Sequence, residues 1–210
     1  MPPLKTRDRI LLTSLELFNL CGEPNTTTID IANEMDISPG NLYYHFRNKD
    51  EIITELFAMY ESAMNEVLDP PKESNLEMLD YWMYVHLVFE KIWEFRFLYR
   101  DLVNILERNE RLQKRFNRIV DKMHEAWRAV INSMREHFAL QISDEDMDNV
   151  ATNAVITATY WLNFQQIRSL GSNQSETNLG LGVYQVMSLI SPFLPEEESD
   201  TLAAVAATYL

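Results

Sequence analysis

Cysteine and glycine are both scarce in this chain, and each scarcity excludes something. One cysteine in 210 residues, Cys21, rules out an internal disulfide and suits a reducing, cytoplasmic setting. By its position it reads as a small buried hydrophobe near the end of a first helix. Five glycines, few β-branched runs and abundant Leu, Met, Glu and Asn point to an all-α chain. No apolar run reaches membrane-spanning length and no secretory signal is visible, so no membrane partner is expected.

Catalytic signatures are missing as well. The four histidines, His45, His86, His124 and His137, stand in no HxxxH, HExxH or CxxC setting, and there is no GxSxG or phosphate-binding glycine loop. The expectation is therefore no enzyme, no metal and no cofactor. Basic charge is also short: 18 Lys and Arg against 32 Asp and Glu leave a net charge of −14. The deficit is uneven, at −4 over residues 1–60, −2 over 61–139 and −8 over 140–210. Lys5, Arg7, Arg9, Arg47 and Lys49 gather at element ends near the amino terminus. There, local geometry can outweigh net charge within a Debye length of about 8 Å. Contact with a polyanion is then expected to be weak without specific recognition and strongly salt-sensitive.

Helical signals fill the chain. Ile10, Leu11, Ser14, Leu15 and Phe18 place a helix from about Lys5 to Cys21, stopped by Gly22 and Pro24. Thr27 with Asp30 forms a capping-box-like start, and Ile31, Ala32 and Met35 share one face of the short helix that follows. Ser38-Pro39 announces a second start, and Leu42, Tyr43 and Phe46 give that helix one buried side. Two short helices about a tight turn, over residues 27–46, are the helix-turn-helix plan, whose second helix can enter a DNA major groove. An ordinary pair of core helices has the same periodicity. The difference lies in what the second helix exposes: Gly40, Asn41, Tyr44 and His45, where a structural helix more often carries Glu, Lys or Gln. Asn pairs with base edges, while Tyr and His suit phosphates.

The run Ile37-Ser38-Pro39-Gly40-Asn41-Leu42-Tyr43-Tyr44-His45-Phe46-Arg47-Asn48-Lys49, preceded by Leu17-Phe18, Gly22 and Thr26-Thr27, resembles the amino-terminal domain of the tetracycline-repressor (TetR) family. The resemblance covers roughly the first 60 residues. It implies a three-helix DNA-binding domain over residues 1–48, a connecting helix over 49–68, and a helical effector-binding and dimerisation domain over 75–210. By position, Thr27 and Thr28 would hold phosphate. Ser38, Pro39, Gly40 and Asn41 would face base edges, and Tyr43, Tyr44, His45 and Lys49 would meet the backbone or line the groove. The implied partners are a palindromic double-stranded operator, a second copy of the chain and a small-molecule effector. The implied activity is transcriptional regulation, most simply repression; the alternative is a ligand-sensing adaptor without sequence-specific DNA binding.

Beyond residue 68, Asp69-Pro70-Pro71-Lys72-Glu73-Ser74-Asn75 reads as a domain boundary, with Asn75 as the next cap. Helices are expected over 76–94, 95–108, 110–138, 144–170 (stopped by Gly171), 176–191 and 196–209. By the same resemblance, those over 144–170 and 176–191 would form the dimer bundle. Trp82, His86, Phe89 and Trp93 recur at helical spacing, followed by Phe97 and Arg100, then Phe116, Met123 and Trp127. Such spacing usually means core. The bulk of the set and the nearby Arg96 and Arg100 also fit a pocket for an apolar or acidic amphipathic effector.

Overall fold

The computed structural model describes residues 5–70, 76–170 and 178–209, and among these the regular elements are helical. They fall into two compact units, Met1–Ala63 with Phe95–Phe116, and Met64–Glu94 with Asn117–Leu210. The linear division expected near residues 69–75 is therefore crossed: a later segment returns to the first unit. Pro71, the Asn75 cap, the Gly171 stop and the Glu176 start lie outside the described residues.

In the first unit, α1 (Thr6–Cys21) buries Ile10, Leu11, Leu15 and Phe18 on one face and ends at Gly22, whose φ of 86° no side-chain-bearing residue adopts readily. Cys21, expected to be buried, is exposed; it falls on the outer face, beside Leu20 at 78% exposure. The short helices α2 (Thr28–Glu34) and α3 (Pro39–His45) follow, then the long α4 (Lys49–Val67). The rest of this unit corrects an expectation. The helix expected over 95–108 is two, α6 (Arg96–Arg100) and α7 (Leu102–Glu107), broken at Asp101 with φ −117° and ψ 23°. The Asp101 carboxylate accepts the Glu23 backbone N–H, a tertiary bond of which helical periodicity gives no sign.

Aromatic rings close the unit. Phe97 packs on Phe18 with ring centroids 5.3 Å apart. Tyr60 lies among Phe57, Phe95, Tyr99 and Phe116. The Tyr60 and Tyr99 hydroxyls, both buried, share a 2.6 Å hydrogen bond, and burial raises the pKa of both.

The second unit is built on α5 (Met78–Glu94), α8 (Glu110–Phe138, entering this unit at Asn117), α9 (Asp144–Ser169), α10 (Leu179–Met187) and α11 (Glu196–Tyr209). The α5 helix starts two residues later than expected, with Asp80 accepting from the Glu77 N–H at 2.8 Å. The helix expected over 176–191 is shorter at both ends. Asn178 caps it through the Leu181 N–H, and a short 3-10 turn, Ser191–Phe193, follows the helix, because Pro192 has no N–H to continue the ladder. Ion pairs Arg128–Asp148 and Arg135–Asp144, both 2.8 Å, tie α8 to α9. Tyr81 bonds Ser133 at 2.7 Å, which ties α5 to α8. A Cβ at Gly182 would stand 2.5 Å from Phe89 Cε1 and 2.8 Å from Trp161 Nε1, so α10 approaches α5 and α9 only because that residue is glycine.

Candidate nucleic-acid interface

Local caps set the two motif helices. The Thr27 hydroxyl accepts the Asp30 N–H at 3.2 Å, while the Asp30 carboxylate accepts the Thr27 N–H at 2.8 Å and its hydroxyl at 2.6 Å. These bonds, the hydroxyl's first, hold the Asp30 carboxyl below its ordinary pKa. Ser38 caps α3 by accepting the Asn41 N–H at 3.2 Å, with Pro39 at the first helical position. Between the helices Asp36 takes a left-handed φ of 54°.

With the caps fixed, the buried and exposed faces of α3 separate cleanly. Leu42 is fully buried and Phe46 almost so, anchoring the helix. Ser38, Pro39, Gly40 and Asn41 are exposed, Tyr44 is 85% exposed, and His45 is half-buried with its ring edge against Tyr44 at 5.1 Å. Thr28 and Tyr43, on different helices, share a 3.0 Å hydroxyl contact. The structure thus joins α2 to α3 through Thr28 and Tyr43, leaves Ser38 to Asn41 and Tyr44 exposed on α3, and sets His45 at a hollow shared with Arg7, Asp50, Glu51 and Glu55. At Gly40 an added Cβ would meet only Ser38 Oγ, at 3.9 Å. Nothing inside the protein requires a glycine there, and a glycine in a helix costs about 1 kcal/mol relative to alanine.

Lys49 is placed otherwise. Its ammonium donates to the Glu23 and Thr26 carbonyls at 2.9 and 3.0 Å and lies 2.9 Å from Glu23 Oε1, a contact that is ionic rather than a directed hydrogen bond. The other Glu23 oxygen accepts from Arg108 at 3.0 Å. The Glu23 side chain is 1% exposed. The free cation expected at Lys49 is instead an internal tie, and Arg7, paired with Glu55 at 3.0 Å over the Phe46 ring, is partly committed too. Glu23, Arg108 and Asn19, which accepts from Phe97 N and Arg100 Nη1 at 3.0 Å each, had no signature in the sequence.

The expected effector set divides. Phe97, Arg100 and Phe116 belong to the first unit; Trp82, His86, Phe89, Trp93, Met123 and Trp127 belong to the second. Arg100 donates to the Asn19 carbonyl within the first unit. Within that unit Trp82, Phe89 and Met123 are fully buried, and Trp82 stacks on Tyr209 at 5.8 Å. Trp127 meets Tyr84 edge-on at 6.3 Å and borders an apolar crevice with Val130, Met134, Ala154 and Val186. Formal charge divides as −2 in the first unit and −12 in the second. Among the described residues no group of acidic, histidine or cysteine side chains is arranged for a metal, and no helix is long and apolar enough to cross a membrane.

Comparison with known proteins gives matches to two family models, bacterial regulatory proteins of the tetR family over residues 10–56 and a bacterial transcriptional repressor model over residues 59–202. The HTH-type transcriptional regulator QacR of Staphylococcus aureus is 24% identical over 170 residues, 78% of this chain and 90% of the relative. A probable acrEF/envCD operon repressor of Escherichia coli is 30% identical over 74 residues, 35% of this chain and 33% of the relative. Among solved structures, a TetR-family transcriptional regulator from Marinobacter aquaeolei is 35% identical with a TM-score of 0.85, covering 98% of this chain and 99% of its own.

Proposed function

Because the chain belongs to the tetR family of bacterial regulatory proteins and is a DNA-binding transcriptional regulator, we propose that it acts as a homodimeric repressor. Its two α2–α3 motifs grip a palindromic operator and release it when a small molecule occupies the second unit. The observation that carries this reading is the outward face of α3: Gly40, Asn41 and Tyr44 exposed above the buried Leu42 and Phe46. Ser38, Pro39 and Gly40 admit the backbone close to a groove floor, Asn41 reads a base edge, and Tyr44 and His45 line the groove. The paired hydroxyls of Thr28 and Tyr43 meet phosphate, which positions the motif without reading sequence.

For the dimer, α9 carries an apolar stripe at helical spacing: Ile156, Tyr160, Phe164, Ile167 and Leu170, each at least half exposed. A second copy packed on this face and on α10 would cover it and set two reading heads about one DNA turn, roughly 34 Å, apart. Release is then a shift between a DNA-competent state and an effector-filled state. The test is a mobility shift with the DNA upstream of the protein's own coding region. Asn41→Ala should lose discrimination among operator variants, by about 1–3 kcal/mol at one base position, while keeping its non-specific affinity. Equal weakening on every variant would remove Asn41 from base recognition, and absence of any shift at low salt would favour the adaptor.

A further inference from the structure

The chemistry of the molecule that the second unit takes is written in its unpartnered polar atoms, and the inference rests on the effector reading above. Trp82 is fully buried, yet its indole N–H has no acceptor. One turn along α5, the buried His86 Nδ1 is likewise without a partner. On α9, also one turn apart, Trp161 Nε1 and Gln165 Oε1 are in the same condition. Buried polar atoms in folded proteins are nearly always bonded. Four of them on two short helix strips are therefore a specific feature. Gly182 of α10 packs against both helices, against Phe89 of α5 and Trp161 of α9. Phe89 lies on the same α5 face as Trp82 and His86, and Tyr209 at the end of α11 stacks over Trp82.

The polarity of these atoms is informative. Indole N–H groups only donate, and a glutamine carbonyl only accepts, so the complementary molecule offers both an acceptor and a donor. Charge is informative too. Lys91, Lys122, Arg128 and Arg135 pair with surface carboxylates, no described Lys or Arg of this unit is buried, and the unit carries −12 overall. A carboxylate among these rings would be desolvated with no Lys or Arg as counter-ion. We propose that the polar strips Trp82–His86 of α5 and Trp161–Gln165 of α9 recognise an uncharged, ring-bearing ligand with adjacent hydrogen-bond acceptor and donor, of the primary-amide or lactam type, in place of the acidic amphipath that the sequence allowed.

The test is titration calorimetry of the full chain with 2-naphthamide and 2-naphthoate, which match in size and differ in charge, with 2-methylnaphthalene as the hydrocarbon control. The amide should bind at least about ten-fold more tightly than the carboxylate, the scale on which a site built for hydrogen bonding discriminates. Trp82→Phe and Gln165→Leu should each weaken the amide by about ten-fold and leave the hydrocarbon unchanged. Gln165→Leu carries the test alone should Trp82→Phe not fold. Equal or tighter naphthoate binding, amide binding indifferent to both substitutions, or no amide binding would overturn the proposal. A mobility shift with the same probes separates the two readings. Amide binding that leaves the operator complex intact keeps the recognition strip and removes the effector role. Naphthoate binding that releases the operator keeps the effector role and removes the uncharged class.

Discussion

Replacing Glu23 by Gln removes one negative charge at nearly constant shape from the junction of the first unit. The carboxylate is 1% exposed and touches Lys49 at 2.9 Å and Arg108 at 3.0 Å. Removing one member of a fully buried ion pair costs about 3–5 kcal/mol, because the remaining charge stays buried and uncompensated. Here the cost is smaller, for two structural reasons. Lys49 keeps its bonds to the Glu23 and Thr26 carbonyls. Arg108, with 45% of its side chain exposed, recovers much of its loss from water, so its share is discounted for solvent screening. What is left is close to one charge-assisted interaction, about 2 kcal/mol. In urea, with a slope of about 1–3 kcal/mol per M, that lowers the midpoint by roughly 1 M at unchanged slope. Far-UV circular dichroism is the appropriate probe, because the first unit holds no tryptophan: Trp82, Trp93, Trp127 and Trp161 all belong to the second. Most of the loss should persist in 1 M NaCl, since salt screens a buried pair poorly. A double-mutant cycle with Lys49→Met should give a coupling of about 1 kcal/mol or more. A loss within about 0.5 kcal/mol, the range of an ordinary surface substitution, or one abolished by salt, would refute the account of Glu23 as a buried tie.

Three further expectations follow from geometry. Gly40→Ala should stabilise the isolated protein by up to about 1 kcal/mol, because the Cβ meets open space, and should weaken operator binding in the same preparation; unchanged binding would show that DNA does not approach that backbone. Gly182→Ala forces Phe89 or Trp161 aside. The overpacking cost of about 1–3 kcal/mol outweighs the gain in helix propensity, so thermal melts should show a net loss accompanied by altered tryptophan emission. Burial, reinforced by the nearby Glu23, raises the Asp101 pKa. A carboxyl whose folded pKa lies above its unfolded value loses stability as pH rises between the two. Asp101→Asn should therefore gain on wild type as pH rises above the ordinary carboxylate range, and a constant difference from acid to neutral pH would contradict the assignment.

The sequence was most informative where structure is local. The Thr27–Asp30 box and the Ser38-Pro39 start lie within three residues of the bonds they make, and both caps form as read. Outward Asn41 and Tyr44 follow from helical spacing against Leu42 and Phe46. The misses are non-local. Lys49 finds its acceptors 23 and 26 residues away, and Arg108 finds Glu23 at a separation of 85; no periodicity encodes such pairings. The break at Asp101 has the same origin. The aromatic set divided because helical spacing shows that a residue is buried but not against what: Phe97 packs with Phe18 and Phe116 with Tyr60, all within the first unit. The unpartnered atoms of Trp161 and Gln165 could be found only once α9 and α10 were folded together.

The internal commitment of Lys49 has a consequence for how the protein would behave in a living cell. A DNA-binding surface loses affinity in rising salt in proportion to the phosphates it neutralises, at about 0.9 in log–log slope per contact. With Lys49 held by Glu23 and two carbonyls and Arg7 paired with Glu55, Lys5, Arg9 and Arg47 are the amino-terminal cations left for that exchange, and hydroxyl, amide and close backbone contacts carry a larger share of recognition. The salt slope is then expected to be shallower than five free basic residues would give. Potassium accumulated under osmotic stress would then loosen such a surface less than one with all five cations free.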